Sequence, residues 1–133
     1  MSGTRIDDPS LPSVVTVGCA NFECVLLNEA ATPEKLLGVV RAAARQGCDL
    51  VIFPELAINT WGECKDCARE HRPCAWHLGQ AETAPGPASD AVARVAREQG
   101  IHVIYGFEER DAEDPSILYN AAALVTPDGL LGT

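Results

Sequence analysis

The run Gly47-Cys48-Asp49-Leu50-Val51-Ile52-Phe53-Pro54-Glu55-Leu56 decides how this chain folds. Leu50 to Phe53 is apolar at every position, with no polar alternation, which fits a strand covered on both faces. Pro54 has no N–H and tends to end ladder pairing, so the residue after it leaves the sheet. That residue is Glu55. In α/β sheets, ligands gather beyond the carboxyl ends of strands. A carboxylate held there between Phe53 and Leu56 is expected to be partly desolvated, which makes it a better general base. The bland counterpart is a solvated loop glutamate, and position alone does not choose between them.

Working outward, Val14 to Ala20 (VVTVGCA) reads as a short buried strand before this one. Between the two strands, Thr32 can cap a helix with Pro33 at its first position. Leu36, Val40, Ala43 and Ala44 then form the apolar stripe of a helix packed on one side, and Gly47 is placed to end it. On the other side, Asn59 to Pro87 has no clear periodicity. A stretch of that length is usually functional or holds a short helix. Pro87 or Ser89 opens a second helix carrying Val92, Val95 and Ala96, with Gly100 as its stop. Ile101 to Phe107 is a third strand, Glu108 to Asp114 a charged connection, and Leu118 to Val125 a fourth strand. Pro127-Asp128-Gly129 is a turn leading into the return arm of a hairpin. The order β-α-β-α-β-β gives an α/β fold, a mixed sheet with helices on one face. Residues 1–12 read as a polar tail and 13–133 as the domain.

Composition excludes several classes of partner. The formal charge of −9 argues against nucleic acid, whose phosphates need a surplus of Lys and Arg, and against an anionic membrane surface. No stretch approaches the roughly 18 or more apolar residues of a membrane span. Met1 to Pro12 carries Arg5, Asp7 and Asp8 and no apolar run, so no signal peptide is expected and the reading is cytoplasmic. In that compartment the six cysteines should be reduced. Cys19 and Cys48 are read as small buried hydrophobes.

Residues 47–56 resemble the segment of the nitrilase superfamily (carbon–nitrogen hydrolases) that carries its catalytic glutamate. Further segments are similar in the same order: Pro85-Gly86-Pro87, Gly100 to Phe107, Glu109-Arg110, Tyr119-Asn120-Ala121-Ala122, and Pro127-Asp128-Gly129. The resemblance spans residues 14 to 133. It implies half of an αββα sandwich and a Glu-Lys-Cys set without a metal or other cofactor. A cysteine thiolate attacks the carbon of an amide, carbamoyl or nitrile substrate, a glutamate acts as base, and a lysine steadies the developing charge. Glu55 is the position that matches the base. Neither Lys35 nor Lys65 matches the lysine, and none of the cysteines sits in the nucleophile's context. The lysine is expected just beyond Leu131-Gly132-Thr133, so the chain is expected to be an amino-terminal part, inactive alone, homo-oligomeric when complete, with one sheet face left bare. Glu109 is a candidate to line or brace the pocket, and Tyr119 and Asn120 are candidates to support it.

One feature lies outside the resemblance. Cys64, Cys67, His71, Cys74 and His77 fall close together, and Cys-x-x-Cys with nearby His has the composition of a zinc site. On one straight helix Cys64 and Cys74 would stand about 15 Å apart, too far to share an ion. Binding by Cys64, Cys67, His71 and Cys74 therefore requires the chain to fold back, which Arg72-Pro73 permits. Packed reduced thiols and a disulfide are the other readings. Accordingly, a non-catalytic zinc-binding or interaction module stands as the alternative to a hydrolase.

Overall fold

The computed structural model describes residues 14–24, 31–59, 67 and 72–133. Among the described residues eight elements follow in order: β1 (Val17–Cys19), α1 (Ala31–Arg45), β2 (Leu50–Ile52), α2 (Ala75–Gln80), α3 (Pro87–Gln99), β3 (His102–Arg110), β4 (Leu118–Thr126) and β5 (Gly129–Gly132). They build one mixed sheet in the order β1-β2-β3-β4-β5, parallel across the first three strands and antiparallel across the rest. Two parallel neighbours need a crossover, and α1 and α3 supply the two crossovers on the same face. The α/β class and the one-sided helical cover are as the sequence indicates.

The core lies between the sheet and these two helices. Leu36, Leu37 and Val40 of α1 and Val92, Val95 and Ala96 of α3 pack against Val51, Val103, Tyr105, Phe107, Ala123 and Val125, all of them buried. Strand alternation sends the other side chains to the opposite face: Val17, Leu50, Ile52, Ile104, Leu124 and Leu131. Val17 is 46% and Leu131 70% exposed there. Cys19 is on this side too and is exposed, which corrects its reading as a buried hydrophobe. The β1 run looked buried because it is apolar, but only one of its faces is covered.

Local signals explain most element ends. Gly100 ends α3 in the left-handed conformation (φ 66°), with its N–H on Ala96 O. At the other end, Ser89 Oγ accepts from Gly86 N–H (2.8 Å) and Glu82 Oε2 accepts from Ala88 N–H (2.9 Å), so two orphan donors of the first turn are satisfied. Thr32 is inside α1 and fully buried rather than capping it, because the helix already includes Ala31. β3 extends through Glu108–Arg110, which the sequence assigned to a connection: charge there does not break a strand whose ladder with β4 continues to Arg110↔Leu118. No helix among the described residues is long and apolar enough to cross a membrane.

Candidate functional site

Glu55 sits on a two-residue extrusion at the carboxyl end of β2. The parallel register pairs Ile52 with Ile104, and Phe53 N–H still bonds Ile104 O at 2.8 Å. Regular continuation would bring Gly106 N–H to the Phe53 carbonyl and the residue-55 N–H to Gly106 O. Instead Gly106 N–H bonds Pro54 O (3.2 Å), and Ala57 N–H bonds Gly106 O (2.8 Å). Glu55 and Leu56 are thus pushed out of the ladder. Two features make this possible. Leu56 adopts a left-handed conformation (φ 49°), which costs a non-glycine residue about 1–2 kcal/mol. Gly106 has no side chain, and a Cβ there would lie 2.4 Å from Glu55 Cα.

The extruded carboxylate meets one partner across the sheet. Asn120 Nδ2 donates to Glu55 Oε2 at 3.0 Å, and both side chains are exposed. The burial expected around Glu55 is not found among the described residues: nothing packs over its exposed side chain beyond the Asn120 contact. Two elements of the loop are anchored from behind. Cys24 Sγ lies 3.4 Å from Leu56 O and 3.6 Å from Ala57 O. Asn59 is buried: its Nδ2 donates to Gln80 O (2.9 Å), and its Oδ1 accepts from Glu108 N–H (2.6 Å). Cys24, Asn59 and Gly106 escaped sequence reasoning. For Gly106, a glycine inside an apolar strand was the available signal.

The remaining support candidates lie elsewhere. In the β3–β4 ladder Glu108 opposes Asn120, and Glu109 opposes Tyr119. Directly opposed residues share a face, and successive ones alternate. Glu109 and Tyr119 therefore project to the side opposite Asn120. Glu109 Oε1 accepts from Thr133 Oγ1 (3.2 Å). Burial first, then the charges of Glu82, Asp90 and Glu109, push the Tyr105 hydroxyl well above its ordinary range, which places Glu109 on the helix-covered side. Tyr119 donates its hydroxyl to Asp111 Oδ2 (2.9 Å). The backbone N–H groups of Asp114 and Glu113, together with that bond, hold the Asp111 carboxyl below its usual range.

Cys67, Cys74 and His77 converge, with their donor atoms all within 4.8 Å of one another. Cys64 and His71 fall outside the described residues. Of the sequence set Cys64, Cys67, His71 and Cys74, the described members Cys67 and Cys74 are joined by His77. Lys35 is engaged elsewhere, with Glu23 O and the Phe22 ring.

Residues 15–133 match the carbon-nitrogen hydrolase family. A nitrilase from an unknown prokaryotic organism, named Nitrilase 2, is 30% identical over 118 residues, covering 86% of this chain and 38% of its own length. An omega-amidase from Mus musculus is 31% identical over 93 residues, covering 70% of this chain and 29% of its own. The crystal structure of an amidase from Nesterenkonia sp. superimposes with a TM-score of 0.65 at 18% identity, covering 89% of this chain and 41% of that one. The chain thus spans less than half the length of these relatives, but it matches them over most of its own. With a family match over residues 15–133, this chain belongs to the carbon-nitrogen hydrolase family.

Proposed function

We propose that this chain contributes the general base, Glu55, to a thiol-dependent hydrolase of non-peptide carbon–nitrogen bonds in small amides or carbamoyl compounds, with nitriles the less favoured substrates. The observation that carries the reading is the extrusion of Glu55 from the β2 ladder at the expense of a left-handed Leu56. Strain of that kind persists where surrounding structure enforces it, and a carboxylate at the carboxyl end of a parallel strand is where the fold class places its chemistry.

On this reading a lysine and a cysteine come from polypeptide outside residues 1–133. Glu55 takes the thiol proton as sulfur attacks the substrate carbon, and the lysine stabilises the oxyanion that forms. The proton then passes to the departing amine as the thioester forms. A water molecule, deprotonated by the same carboxylate, cleaves the thioester and regenerates the thiol. The Asn120 amide fixes one carboxylate oxygen, leaving Oε1 to accept the proton. Glu109 and Tyr119 serve as bracing at the far end of the β3–β4 ribbon, and the assembled protein is a homo-oligomer.

The test is Glu55→Gln in the polypeptide that also carries the lysine and cysteine. The amide keeps the shape of the side chain and an oxygen for Asn120 but takes up no proton, so hydrolysis should fall by about 100-fold or more. Far-ultraviolet circular dichroism should be unchanged. Normal turnover in a folded Glu55→Gln variant would remove Glu55 from the mechanism.

A further inference from the structure

We infer that Cys67, Cys74 and His77 form a binding site for zinc or a similar thiophilic divalent ion, a clip that pins the excursion to the end of β3. The inference is independent of the role proposed for Glu55. His77 Nδ1 lies 3.2 Å from Cys67 Sγ and 3.3 Å from Cys74 Sγ. Tetrahedral zinc, with Zn–S bonds of about 2.3 Å and Zn–N bonds of about 2.0–2.1 Å, holds its sulfur and nitrogen ligands about 3.5 Å apart. Both sulfur–nitrogen pairs therefore need to part by only a few tenths of an ångström to enclose an ion, and all three donors already lie within 4.8 Å of one another.

Chain geometry supplies the convergence. Cys74 precedes the first residue of α2 with extended backbone (φ −84°, ψ 168°), and His77 lies three residues on, so the helix start presents both side chains to one side. Cys67 is brought back onto them, and Cys74 N–H donates to its sulfur at 3.0 Å.

The second nitrogen of His77 is also provided for. Nε2 faces Glu108 Oε1 at 3.9 Å, so closing the gap by about 1 Å would give the carboxylate–histidine hydrogen bond that orients metal-bound imidazoles. His77 and Glu108 are each only 17% exposed, and with Cys67, Arg72, Pro73 and Leu118 they line a cavity of about 310 Å³. Both sulfurs bind as thiolates, their protons passing to solvent. Zinc needs one more donor, which water or a further side chain can supply. The softness of two thiolates with one imidazole selects zinc-like ions over magnesium or calcium.

The test uses the 133-residue chain purified under reductant in the presence of zinc, then freed of loosely held metal. Elemental analysis should find about one zinc per chain, with a dissociation constant of about nanomolar or tighter. Cys67→Ser and Cys74→Ser should abolish retention, while Cys19→Ser should leave it unchanged. Glu108→Gln should weaken binding by about 10–100-fold without changing the stoichiometry. Cobalt-loaded wild-type chain should show a sulfur-to-cobalt charge-transfer band and the visible spectrum of a tetrahedral ion, a measurement that needs no variant to fold. Absence of that band, or zinc retained equally by the two serine variants, would overturn the inference.

Discussion

Replacing Gly106 by alanine tests the architecture of the Glu55 loop more sharply than any change to Glu55 itself. An added Cβ would lie 2.4 Å from Glu55 Cα, 2.8 Å from Leu56 N and 2.8 Å from Pro54 O. All three are backbone atoms, so no rotamer change relieves the clash. Reaching ordinary contact requires the loop to retreat by about 1 Å, which overpacked sites resist at a cost of about 1–3 kcal/mol. The retreat strains the two ladder bonds that flank the extrusion and carries Glu55 Oε2 away from Asn120 Nδ2, now at 3.0 Å. Beyond about 3.5 Å that hydrogen bond is gone. Urea denaturation should therefore show a loss of about 1–3 kcal/mol, and the Asn120 side-chain amide resonances should shift. In the polypeptide carrying the lysine and cysteine, misplacement by about 1 Å should lower kcat/KM by roughly 100-fold. Gly38→Ala is the control: it lies within α1 with nothing within 4 Å of its would-be Cβ, so it should stabilise by about 0.5–1 kcal/mol. A Gly106→Ala chain as stable as wild type, with unmoved Asn120 resonances, would refute the argument.

Three further outcomes follow from individual contacts. Asn59→Ala takes the acceptor from Glu108 N–H and one donor from Gln80 O, and should destabilise by about 1–3 kcal/mol in denaturant titrations. In metal-free protein, the Glu108 carboxyl is raised above 4.5 by burial. Its favourable share of stability is therefore complete below pH 4.5 and is lost as pH rises through the higher folded value. Glu108→Gln should flatten that part of the stability profile, measured from about pH 4 to 7; an unchanged slope would count against the assignment. Asp111 has the opposite sign. Its lowered carboxyl contributes stability above pH 3.8 that disappears as pH falls through the folded value. Tyr119→Phe removes one of the three bonds holding it down, so the Asp111 titration followed by NMR should move up.

The fold was legible because its signals are local and redundant. LVIF at 50–53, the stripe on α1, Pro87 with Ser89, and Gly100 each fix an element without reference to distant residues. The site was legible only in part. That Glu55 leaves the sheet follows from proline after an apolar strand, but its partner depends on ladder register, and a one-residue slip exchanges the faces of β4. Asn120 and Tyr119 are adjacent in sequence, yet one reaches Glu55 and the other Asp111. Glu109 was grouped with Glu55 by proximity to a strand end, and the extension of β3 through Arg110 turns it to the helix side. Of the zinc candidates read from the sequence, Cys67 and Cys74 lie together with His77, while Cys64 and His71 fall outside the described residues. Spacing along the chain does not reveal that Cys67 meets His77 ten residues away.

The bare face and the exposed carboxylate have one physical origin. A sheet with both crossover helices on a single side leaves its other face less covered, and among the described residues Val17, Leu50, Ile52, Ile104, Leu124 and Leu131 lie on that face, partly or largely exposed. Glu55 is extruded at the end of this face, beside Asn120 rather than beside the helices. A layer laid over these apolar residues would exclude water from Glu55 at the same time, and desolvation is what turns an ordinary carboxylate into an effective base. On the function proposed, the segment bearing the lysine and cysteine is that layer, so burying the face and assembling the catalytic set are one event. Leu131→Asp would separate the two ideas, since it places a charge on the face without touching Glu55 or Asn120. Activity in the longer polypeptide should then fall together with stability, in the ratio set by how much of the layer detaches. Unimpaired activity in the Leu131→Asp variant would mean that the site is completed from another direction.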